Sequence, residues 1–245
     1  IETAISRVEK AIGRLKTKAG ETFRSFTKRG REYKGAISEI TKEIDIQRKG
    51  YDKYIARANS IGLEGAWAAQ VRDGSINIAD VADDGLKERI KNYKEWYEKA
   101  LQCQEKLEEL QKTQKELARE KIELLITKYG KLLSKLESSS KRIQGVMDLK
   151  ETWGFSASTK DYSKLNKNAQ SQISNIIKQN KKLKELQKTV TRGSEAWHEY
   201  NERINSNNGS IQDLTKTMAE NAVASASLAG QNAEAKNSAK DTADE

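Results

Sequence analysis

From Ile1 the apolar side chains recur at steps of three and four: Ile1, Ile5, Val8, Ile12, Leu15, Ala19, Thr22 or Phe23, and Phe26. After Gly30 the rhythm resumes through Tyr33, Ile37, Ile40, Ile44, Tyr51, Ile55 and Ala58. This spacing places one narrow apolar stripe on a helix over residues 1–58. Unbroken, that helix would be about 87 Å long. Its weak points are Gly13, Gly20, Gly30, Gly35 and Gly50, each costing up to about 1 kcal/mol of helix preference. A bend is allowed near Gly30 or Gly50.

Residues 59–85 read as a helical connector. Asn59 to Gly65 is rich in turn formers, Ala66–Val71 is a short amphipathic piece, and Asp73-Gly74-Ser75 is a second turn. Asp84 is placed to cap the next helix. The pattern then holds from Leu86 through Ile90, Tyr93, Tyr97, Ala100, Cys103, Leu107, Leu110, Leu117, Leu124, Ile126, Tyr129, Leu132, Leu136, Ile143 and Val146. Residues 86–150 are therefore expected to form one long coiled-coil-like helix, flanked by Glu and Lys at pairing distance. A turn is expected over 151–160. Residues 161–218 carry Leu165, Ala169, Ile173, Ile176, Leu183, Leu186, Val190, Trp197, Tyr200, Ile204, Ile211, Leu214 and Met218. They read as a helical hairpin or a broken helix, with Ser194 as a cap after Thr191-Arg192-Gly193. Residues 219–245 are Ala- and Ser-rich and lack large apolar anchors, so they read as a thin helix or a frayed end. The one alternating stretch, Ser75–Ala79, has no second strand to pair with. The class is all-α: long amphipathic helices forming a coiled-coil rod or an elongated helical bundle, with short helical connectors.

Composition sharpens this. There is no proline in 245 residues, which fits long helices, because an internal proline costs about 3 kcal/mol. At 36% apolar and 33% charged, the chain is too polar for a large core. The chain begins with Ile1, with the heptad-like spacing already running, which suggests an internal fragment.

The chemistry-bearing residues are few. The single cysteine, Cys103, excludes an internal disulfide framework and sits on the apolar stripe as a small hydrophobe. The single histidine, His198, leaves no multi-histidine metal site, and its neighbour Glu199 points elsewhere on a helix. His198 is expected on the surface beside a packed Trp197. No phosphate-binding loop and no apolar run of membrane-spanning length is present. No catalytic, cofactor-binding or metal-ligating set is read from the sequence, and an enzyme is not expected. The net charge of +9 comes with local patches at Lys16-Thr17-Lys18, Lys28-Arg29-Gly30-Arg31 and Lys181-Lys182-Leu183-Lys184. Acidic residues are interspersed with them, and no nucleic-acid recognition module accompanies them. Nucleic acid is therefore the disfavoured partner. An interaction module binding a protein partner, or nucleic acid non-specifically, stands as the alternative function.

Three segments carry a resemblance. The first is Tyr51-Asp52-Lys53-Tyr54-Ile55-Ala56-Arg57-Ala58-Asn59-Ser60-Ile61-Gly62-Leu63. The second is Asp73-Gly74-Ser75-Ile76-Asn77-Ile78 followed by Leu86-Lys87-Glu88-Arg89-Ile90 and Tyr93-Lys94-Glu95-Trp96-Tyr97-Glu98-Lys99-Ala100-Leu101. The third is Gly193-Ser194-Glu195-Ala196-Trp197 with Ile204 and Ile211-Gln212-Asp213-Leu214. Over about residues 1–220 the chain resembles the coiled-coil middle region of tail tape measure proteins from phages and prophages of Gram-positive bacteria. The resemblance implies a helical ruler and scaffold in the lumen of the tail tube, assembled in the host cytoplasm and released on DNA ejection. It implies tail-tube proteins, tail-tip or baseplate proteins and tail assembly chaperones as partners, and no cofactor. Parallel self-association, with a trimer as the expected form, would bury each thin stripe. The connector at 59–85 and the break after 150 could instead fold the helices back antiparallel.

Overall fold

In the computed structural model, which describes residues 23–241, helix α1 spans Phe23–Ser60 and runs continuously through Gly30, Gly35 and Gly50. Short α2, Gly65–Asp73, and a 3-10 turn, Ile78–Asp80, lead into α3, Asp84–Thr152. Helices α4, Thr159–Gln187, and α5, Glu195–Asp241, complete the chain. The architecture is all-α, and no strand occurs among the described residues. The expected apolar positions before Phe23, together with the Lys16–Lys18 patch, lie outside the described residues. The same is true of residues 242–245. Two compact units divide the chain at Glu120/Lys121.

In unit 1, α1 pairs with the first part of α3. Tyr33 donates to Glu120 at 3.0 Å, Gln114 donates to Thr41 at 2.7 Å, and Tyr54 stacks on Trp96. Numbers rise along one helix as they fall along the other, so the pair is antiparallel. Gly50 lets the helices approach: a Cβ there would lie 3.2 Å from Cys103 Sγ. The stripe on α1 buries Phe26, Tyr33, Ala36, Ile40, Ile44 and Ala58, and it also buries Glu43 and Gln47. These two satisfy each other, Gln47 Nε2 donating to Glu43 Oε1 at 2.8 Å.

In unit 2, the second part of α3 packs with α4 and α5. Asn168 donates to Ser139, and Lys150 pairs with Asp161, which sets α4 antiparallel to α3. Asn180 bonds to Asn208 and Asn166 to Asn221, which sets α5 antiparallel to α4. Ile126, Leu183, Leu186, Tyr200 and Ile204 form the apolar cluster. Met147, rather than the expected Val146, is the buried residue at that level of α3. The Ala/Ser-rich segment after Ala219 continues the helix to Asp241 and is largely exposed where side chains are described.

Candidate functional site

Helix joints concentrate the chemistry. At the first, α1 stops because Gly62 adopts φ 64°, the left-handed conformation open to glycine. The Arg89 guanidinium reaches back from α3 and donates to the carbonyl of Gly62. A cation there meets the unsatisfied carbonyls and the negative end of the helix dipole. The connector closes over Ala58, Ala68, Val71, Val81, Ile90 and Tyr93, with Ile61, Leu63, Trp67 and Trp96 around them. Trp96 stacks on Tyr54 at 5.8 Å and carries Arg57 and Lys99 at 4.6 and 4.3 Å from its ring centre. The cap of α3 falls one residue earlier than the expected Asp84: the Asp83 carboxylate accepts from Leu86 N at 2.9 Å.

The second joint ends α3 in a Schellman turn. Phe155 N donates to Lys150 O, Gly154 N donates to Glu151 O, and Gly154 has φ 76°. Ser158 and Asp161 then form a capping box on α4, and Lys150 Nζ lies 2.7 Å from the Asp161 carboxylate. The Lys150 ammonium, then the Ser158 hydroxyl, hold the Asp161 carboxyl well below the usual carboxylate range. A depressed native pKa adds stability that is present above about pH 4 and lost as pH falls through the native value. Asp161→Asn is expected to cost about 1 kcal/mol at neutral pH and to flatten this acid limb. Urea titrations from pH 7 to pH 3 check both. Trp153 and Phe155 flank the turn at 71% and 65% exposure.

Between α4 and α5 runs a seam of amides. Asn207 Nδ2 donates to Asn180 Oδ1 at 2.7 Å and to Gln179 Oε1 at 3.3 Å, and Asn180 Nδ2 donates to Asn208 Oδ1 at 2.9 Å. Lower down, Asn221 Nδ2 donates to Asn166 Oδ1 at 3.0 Å, and Asn166 Nδ2 donates to the Met218 carbonyl. Gln172, Gln179 and Asn180 are buried. The sequence Asn205-Ser206-Asn207-Asn208-Gly209 by itself would loosen a helix, but here it is helical, and its Asn207 and Asn208 supply the α5 side of the upper bonds.

The singled-out residues lie apart. Cys103 is half-buried, and burial pushes its thiol pKa up, against a thiolate role. His198 is exposed, its ring edge-on to Trp197 at 5.2 Å. Of the Lys181–Lys184 patch, Leu183 is fully buried, Lys182 pairs with Glu185 at 2.6 Å, and Lys181 and Lys184 are exposed. Among the described residues no helix is long and apolar enough to cross a membrane. The chain matches no protein-family model, and no curated protein or solved structure is found to be similar to it.

Proposed function

We propose that this chain is a structural region of a phage tail tape measure protein, a helical ruler and scaffold that sets tail length and leaves the tube when DNA is ejected. The observation that carries this reading is the alternation of joints and spacers. The segments that carry the family resemblance supply the apolar joints: Ala58, Ile61, Leu63, Ile76, Ile90, Tyr93 and Trp96 at one, Ala196 and Ile204 at another. Helices of 38, 69 and 47 residues run without interruption into or away from these joints. A helix converts residue number into length at about 1.5 Å per residue, and a ruler of this kind needs no reactive group. The antiparallel pairs are the stored form. Extension inside the tube separates them, and parallel copies, three by preference, then cover the exposed stripes.

Deleting heptads from residues 101–128 in the full-length gene tests this. Tails seen by electron microscopy are expected to shorten by about 10 Å per heptad deleted, since parallel copies shorten together. Tails of unchanged length overturn the proposal. A second reading, an interaction module, is supported by the lysine row on α4.

A further inference from the structure

The α4–α5 pair has two grooves. One is filled by α3 through Ile126, Leu183, Leu186, Tyr200 and Ile204. The other is open, with a volume of about 590 Å³, and is lined by Ile177, Lys181 and Lys184 from α4, by Lys188 at the C-cap of α4, and by Asn208 and Ile211 from α5. Ile177, Lys181, Lys184 and Lys188 follow one another at steps of four, three and four, so they form a single stripe along α4 and onto its C-cap, where Lys188 keeps a helical backbone. Ile177 is 54% exposed and lines this groove. Among the described residues none of the three lysines belongs to an ion pair. The one carboxylate at the groove, Glu185, is held by Lys182 at 2.6 Å. The open groove therefore combines an isoleucine floor at Ile177 and Ile211 with an uncompensated cationic rim.

We infer that this groove docks an acidic amphipathic helix of a partner protein. Its apolar stripe lies on Ile177 and Ile211, and its carboxylates face Lys181, Lys184 and Lys188. A groove between two antiparallel helices suits a third helix, as α3 demonstrates on the other side. The rim supplies charge complementarity, which selects the partner and speeds encounter. A nucleic-acid backbone would satisfy the lysines but leave the isoleucines without a role. This docking site is independent of the tail reading, since tails can respond to heptad deletion whether or not the groove binds.

The test is a fluorescence-anisotropy titration of the full chain with a labelled synthetic helix of about three heptads, leucine at a and d and glutamate beside them. A random-sequence DNA duplex is titrated in parallel. The triple variant K181Q/K184Q/K188Q removes charge and keeps helix preference; Ile177→Ser removes exposed apolar surface only. Circular dichroism is expected to be unchanged in both. Peptide binding is expected to weaken at least about tenfold in each variant. Absence of peptide binding, or binding indifferent to either variant, overturns the inference. Loss with the glutamines but not with Ile177→Ser, matched by DNA binding of the same pattern, overturns it in favour of a general polyanion surface.

Discussion

Truncating Leu183 to alanine is expected to lower the unfolding free energy of unit 2 by about 3 kcal/mol. Leu183 is 0% exposed and sits among Ile126, Leu186, Tyr200 and Ile204, which come from all three helices of that unit. Elsewhere along α4 the buried apolar residues are Leu165, Ala169 and Ile176, and the amide bonds to α5 are each worth only about 1 kcal/mol net. The cavity left by the leucine therefore weakens the cluster in which apolar burial brings all three helices together. Urea unfolding followed by circular dichroism measures the loss, with the exposed Lys181→Ala as a control expected within about 0.5 kcal/mol of the parent. A change below about 1 kcal/mol for Leu183→Ala would mean that contacts outside this cluster hold the bundle.

Ile90→Ala is expected to cost about 2–4 kcal/mol in unit 1. Ile90 is 0% exposed and is where Ala58, Val71 and Val81 meet α3. The short helix α2 has nine residues and no side-chain cap at its start, so it depends on this seat rather than on its own helix preference. Loss of the seat should show first in the connector. Amide exchange over residues 66–81 is expected to accelerate, and trypsin is expected to cut after Arg72 sooner than in the parent. Connector exchange unchanged from the parent would contradict this account of the joint.

The helices were legible because their signal is local. Steps of three and four mark Ile37, Ile40 and Ile44 or Leu183 and Leu186 from sequence alone, and proline is absent throughout. The turn glycines were legible too. Gly62, Gly74, Gly154 and Gly193 all have positive φ and all stand among turn formers. Gly30 and Gly50 looked similar in isolation but lie inside a helix, where pairing with α3 outweighs a local cost of about 1 kcal/mol each. The buried polar residues were not legible. Glu43, Gln172, Gln179 and Asn180 read as solvent-facing by type, and their burial is tolerated only because each has a hydrogen-bond partner. For Gln179 and Asn180 these partners lie nearly thirty residues or more away. The same limit hid the open groove: the lysines show in the sequence, but the isoleucine that α5 brings beside them does not.

The amide seam has one more consequence. Apolar heptads are nearly interchangeable, so two long helices joined by leucines alone could slide by a turn at little cost. An amide cannot slide so freely. Moved one turn along α5, Asn180 would face Ile204 or Ile211 in place of Asn207 and Asn208, and its donors and acceptors would be stranded at a cost of about 1–3 kcal/mol. The asparagines thus act as detents on a sliding scale. They add little to how tightly the helices are held, and they determine which mark on one helix stands against which mark on the other.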